Sequence, residues 1–82
     1  MKPIMNEPDF QFDWNDEVVV ANDAPEKFGP SKIAAVVGMR VVENELQASA
    51  AGFPVGAVLY MIEFSDGSMV ELPASFLRRA DV

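Results

Sequence analysis

A pair of alternating runs around an Asp-Gly step constrains this chain more than any other stretch. Residues 59–64 and 68–72, Leu-Tyr-Met-Ile-Glu-Phe and Ser-Met-Val-Glu-Leu, flank Ser65-Asp66-Gly67. Asp-Gly between alternating segments predicts a β-hairpin. A two-residue loop of Asp66-Gly67 sets Ile62 opposite Glu71 and Glu63 opposite Val70, so each pair mixes a charge with an apolar side chain. A type I turn through Ser65 and Asp66, with Gly67 as a left-handed bulge residue, moves the register by one. Phe64 then faces Ser68, Ile62 faces Val70 and Tyr60 faces Leu72. Met61, Glu63, Met69 and Glu71 collect on the other side, with Leu59 beside them. One apolar and one mixed face suit a half-buried sheet, so the bulged register is expected. The two methionines are expected to be covered by a short helix or by the N-terminal arm. The other reading makes them an adaptable contact surface.

With 82 residues the chain can hold one domain around one small core. Half of the residues are apolar, which excludes a disordered tail. Cysteine and histidine are both absent, which removes disulfides, thiolate and imidazole metal sites, and Ser-His or Cys-His catalysis. Residues 1–8 contain no apolar run of signal-peptide length and no stretch reaches membrane-span length, so a cytoplasmic location is expected.

The net charge is −7, and it is unevenly placed. Residues 1–26 carry Glu7, Asp9, Asp13, Asp16, Glu17, Asp23 and Glu26 against Lys2 alone, and the remainder is nearly balanced. Such a chain repels nucleic acid and anionic membranes and attracts a basic protein. The plain reading of the acids is a solvated face. The functional reading makes Asp9, Asp13, Asp16, Glu17, Asp23 and Glu26 the partner-binding surface.

Residues 1–9, with Pro3 and Pro8, read as a flexible lead, and residues 10–82 as a single domain. Phe10, Phe12 and Trp14 recur at spacing two, the pattern of a short extended arm laying aromatics on the core. A base-stacking platform is the other use of such rings, but the surrounding acids argue against it. Asn15-Asp16 allows a turn, and residues 17–21 form a first strand with Val18 and Val20 on one face. Residues 22–31 form a loop kept irregular by Pro25, Gly29 and Pro30, with Phe28 pinning it to the core. Residues 32–41 form a second strand, buried on much of both faces and bent or bulged at Gly38. Residues 44–51 form a short helix capped by Asn44 and stopped by Gly52. Strands follow over 57–64 and 68–72, then a 3₁₀ turn over 73–77 with Phe76 and Leu77 inward, and a short closing strand over 78–82. Arg78 and Arg79 are expected to pair with the acidic N-terminal third.

This order is mainly β. It resembles an SH3-like five-stranded small barrel with one short helix inserted between strands 2 and 3. Such barrels serve many functions, so the fold alone names none. The five glycines are scattered and build no phosphate loop. Asp13 and Asp16-Glu17 are a candidate carboxylate cluster for acid–base chemistry or magnesium, but Asp16 and Glu17 alternate faces on a strand and no base, nucleophile or second metal ligand accompanies them. No catalytic residue, metal site or cofactor is therefore expected. Trp14, Tyr60 and Phe53 are the aromatics available for a proline-peptide groove, but the hairpin register turns Tyr60 inward.

The pattern Phe12-Asp13-Trp14-x-Asp16-x-Val18-x-Val20, then Ala24-Pro25-x-Lys27-Phe28, then Leu59-Tyr60-x-Ile62-Glu63-Phe64-x-Asp66-Gly67-Ser68-x-x-Glu71-Leu72-Pro73 and Phe76-Leu77 resembles the immunity protein 31 family. These are small bacterial proteins encoded beside polymorphic toxins. The resemblance implies a non-enzymatic protein that binds and neutralises a cognate toxin, and an acidic surface suits a basic one. It implies no individual contact residue. A weaker similarity, to the SH3-like part of nitrile hydratase β subunits, implies an accessory module of a larger complex. Neither resemblance specifies an oligomeric state.

Overall fold

The computed structural model describes residues 11–80. The expected lead over residues 1–9, the site residue Asp9 and the first aromatic, Phe10, lie outside the described residues. So does the end of the expected closing strand.

Five strands form one antiparallel sheet: β1 (Glu17–Val20), β2 (Ile33–Val41), β3 (Val58–Phe64), β4 (Met69–Pro73) and β5 (Leu77–Arg79). The spatial order is β4-β3-β2-β1-β5. β2, β3 and β4 are neighbours in sequence and in space, whereas β5 returns across the fold to β1. β4 and β5 are the two edges and do not pair with each other, so the sheet is not closed. One helix, α1 (Glu45–Ala51), joins β2 to β3.

The hairpin takes the bulged register. Ile62 pairs with Val70 and Tyr60 with Leu72, while Met61 faces Glu71 and Glu63 faces Met69. The Gly67 amide donates to the Phe64 carbonyl at 2.9 Å, and the Phe64 amide donates to Ser68 at 2.9 Å. Gly67 has φ +88°, the left-handed conformation that the bulge position requires and that costs glycine least. The Asp66 carboxylate accepts from both the Ser68 amide and the Ser68 hydroxyl, which ties the loop on itself.

The inner face carries Val18 and Val20 of β1, Ala34 and Val36 of β2, Tyr60, Ile62 and Phe64 of β3, and Leu72 of β4, joined by Phe12, Phe28 and Leu77. β2 is not buried on both faces. Ile33 is 57% exposed, whereas Ala34 and Val36 are buried. The pairing register shifts between Val36 and Gly38, and beyond the shift Met39 packs on the core opposite Tyr60. One extra residue swaps which parity points inward. A strand with a single buried face therefore reads as a continuous apolar run.

Three other expectations need correction. The aromatic arm is not extended: residues 13–16 turn, with the Asp16 amide donating to the Asp13 carbonyl at 3.1 Å and Asn15 at φ +69°. Phe12 is buried, but the turn lifts Trp14 to 60% exposure. The loop after β1 contains a 3₁₀ turn, Glu26–Phe28, which puts Phe28 on the core as expected. β5 begins at Leu77, one residue before the expected strand. The helix forms as expected, with the Asn44 side chain accepting from the Gln47 amide and Gly52 in the left-handed region at its end. It buries none of its residues, and Leu46 is 81% exposed. α1 is thus held by its caps and its connections rather than by an apolar stripe.

Candidate functional site

The outer face of the sheet is a set of cross-strand rows, because paired residues share a face. One row runs Glu17–Ala35–Glu63–Met69 across β1, β2, β3 and β4. The row above it runs Arg78–Val19–Ile33 across β5, β1 and β2. The row below runs Gly38–Met61–Glu71. Met61 and Met69 are 37% and 55% exposed. Neither α1 nor the described part of the N-terminal arm covers them, contrary to the expectation. Leu59, expected beside them, is fully buried. The face is therefore apolar at Ile33, Met61 and Met69, with acids set between.

A groove of about 760 Å³ is lined by Glu17, Ile33, Ala35 and Glu63 of this face, together with Lys32 and Asp66 and with Ala34 and Phe64, whose side chains pack on the inner face. Its shape follows from the central row. Alanine supplies only a methyl group between two long side chains, and two strand spacings of about 4.8 Å set the Glu17 and Glu63 backbones roughly 10 Å apart. Three cations near the face are already engaged. Arg40 donates to both Glu71 oxygens at 2.7 and 2.8 Å. Arg79 donates to Asp16 at 3.1 Å and lies over the Phe12 ring. The Lys32 ammonium sits over the Phe64 ring, 5.5 Å from its centre. Among the described residues Glu17 and Glu63 form no ion pair.

Those contacts tune the acids they touch. The hydrogen bond from Arg40, aided by its charge and opposed by partial burial, holds the Glu71 carboxyl below its ordinary value. The Ser68 hydroxyl and amide hold Asp66 below its own.

The acids singled out in the sequence do not form one patch. Asp13, Asp16 and Glu17 stand at the start of β1, where Asp16 accepts from the Asp13 amide at 2.9 Å and holds Arg79. Asp23 and Glu26 are exposed in the loop beyond the other end of β1. Asp16 is thus committed within the fold, and it realises the expected pairing of the C-terminal arginines with the acidic segment. Of the described acids of that set, Glu17 alone lines the groove. Glu63, Ala35 and Ile33 were not singled out. The hairpin register placed Glu63 on the mixed face, but nothing local in the sequence brings Ala35 between it and Glu17.

Among the described residues no three acids stand close enough to hold a metal ion. No helix among them is long and apolar enough to cross a membrane. The chain matches no protein-family model, no curated protein and no solved structure.

Proposed function

We propose that this chain is a non-enzymatic immunity protein, acting in the cytoplasm of the producing cell, which binds a basic cognate toxin and neutralises it by occlusion. The observation that carries the reading is the outer sheet face. It exposes Ile33, Met61 and Met69 together, with Glu17, Glu63 and Glu71 among them, and with Trp14 exposed in the turn leading into β1. Tryptophan and methionine are enriched where proteins dock, and Glu17 and Glu63, which form no ion pair among the described residues, favour a basic partner. The net charge of −7 extends the same preference over longer range. The resemblance of the residue pattern to the immunity protein 31 family supplies the kind of partner. The return of β5 to β1, after a 3₁₀ turn (Ala74–Phe76) that follows β4, supports an SH3-like small barrel as the scaffold.

The test is to express the toxin encoded beside this gene with and without the chain, and to measure their association. Rescue of growth and a complex whose association rate falls as salt rises are expected. Failure of the two proteins to associate at low salt overturns the reading.

A further inference from the structure

We infer that the trough over Ala35 receives an arginine or lysine side chain of the partner, held between the Glu17 and Glu63 carboxylates. The inference rests on the toxin-binding reading and names the subsite that such a partner would use. Three observations point the same way. Ala35 pairs with Glu17 on one side and Glu63 on the other, so two glutamates flank a methyl group on one face. Ile33 and Ala35 give the groove apolar surface on the outer face, which suits the aliphatic stem of a long basic side chain. Lys32, Arg40 and Arg79 are engaged with Phe64, Glu71 and Asp16, and Arg78 stands in the next row, opposite Val19. Among the described residues the fold therefore leaves Glu17 and Glu63 without an ion pair, in a groove whose lining also includes Lys32 and Asp66.

An incoming guanidinium can donate to both walls, since its five N–H groups form a planar fork. Its stem would cover Ile33 and Ala35. Met69, next to Glu63 in the same row, would border the contact. The occupant is thus a cation on an apolar stem.

The experiment titrates the full chain with a tri-arginine peptide at low salt, followed by amide chemical shifts and by calorimetry. The matched peptide carries citrulline, which keeps the shape and lacks the charge. Saturable shifts centred on Ala35, Ile33 and Glu63 are expected with arginine and not with citrulline. The double variant Glu17→Gln and Glu63→Gln should weaken the arginine peptide about tenfold. A control that removes the same charge elsewhere, Asp23→Asn with Glu26→Gln, should change it by less than about twofold. Equal losses in both variants, or shifts spread over residues 13–26, overturn the inference and leave a diffuse field. All four substitutions are at exposed positions, and each variant's amide spectrum reports whether the fold is intact. The toxin measurement separates this result from the broader reading. A toxin bound with wild-type affinity by the Glu17/Glu63 variant sinks the trough and spares the immunity function. Arginine binding at Ala35 with no toxin association does the reverse.

Discussion

Tyr60 holds Phe12 in two ways. Its hydroxyl accepts from the Phe12 amide at 3.1 Å, and the two rings meet edge to face with centroids 5.3 Å apart. The same hydroxyl accepts from the Gln11 amide at 2.6 Å. A fully buried tyrosine in the middle of β3 thereby fixes the segment that leads into β1. Tyr60→Phe keeps the ring contact and leaves those amides without their acceptor. It should cost about 1–3 kcal/mol in denaturant unfolding, the range for unsatisfied buried donors. Amide exchange should quicken first at residues 11 and 12. Unchanged protection there would show that the hydroxyl does not hold the segment.

Ile62 and Val70 form a cross-strand pair at the centre of the hairpin, and Ile62 is fully buried. Ile62→Ala should cost about 2–5 kcal/mol, lost transfer free energy plus the cavity left behind. Equilibrium urea unfolding measures it. A loss well below that range would mean that the site collapses around alanine.

Gly29 and Gly67 are both left-handed, with φ of +75° and +88°, yet their surroundings differ. A Cβ on Gly67 meets nothing within 4 Å, whereas one on Gly29 would lie 3.1 Å from the Phe64 ring and 3.2 Å from the Lys32 side chain. Gly67→Ala should cost about 1–2 kcal/mol, the backbone term alone. Gly29→Ala should cost more, because the Phe64 ring must also shift. Comparing the two melting curves tests the order, and the opposite order would refute it.

The Arg40–Glu71 pair should make stability depend on pH in one direction. Folding lowers the Glu71 carboxyl below its ordinary value of 4.5, with the Arg40 hydrogen bond the largest cause. A lowered carboxyl contributes stability that is fully present above the ordinary value and lost as pH falls through the folded one. The difference in stability between wild type and Arg40→Met should therefore be largest above pH 4.5 and shrink on acidification. The exposure of the pair keeps the effect small. Carboxyl carbon titration by NMR should show the Glu71 midpoint rising in the variant. A midpoint that stays put would assign the shift to something other than Arg40.

Much of this architecture is legible in local sequence because local chemistry decides it. Ile62, Val70, Glu63 and Met69 separate onto two faces only in the bulged register, and Asn44 and Gly52 bracket the helix. Where one residue decides between equal alternatives, sequence reading fails. The extra residue between Val36 and Gly38 exchanges the inward parity of β2, so its apolar run suggests two buried faces where there is one. Phe10, Phe12 and Trp14 keep the spacing of an extended arm, yet Asn15 turns left-handed and Trp14 faces solvent. The groove was the least legible part. Glu17, Ala35 and Glu63 belong to three strands, and only their pairing makes them neighbours. The acidic segment suggested a surface in the right strand, but Asp16 turned out to hold Arg79.

The return of β5 to β1 also orders events in time. Asp16 and Arg79 meet across 63 residues of chain, whereas β2, β3 and β4 pair with their sequence neighbours. Closing so long a loop is entropically costly, so the three-stranded meander can assemble while both ends of the chain are still free. The ends would then join after the rate-limiting barrier. On this view, weakening the seam by Arg79→Ala should leave the refolding rate almost unchanged and quicken unfolding. The unfolding limb of a denaturant chevron reads this directly. Slower refolding in that variant would place the seam in the nucleus instead.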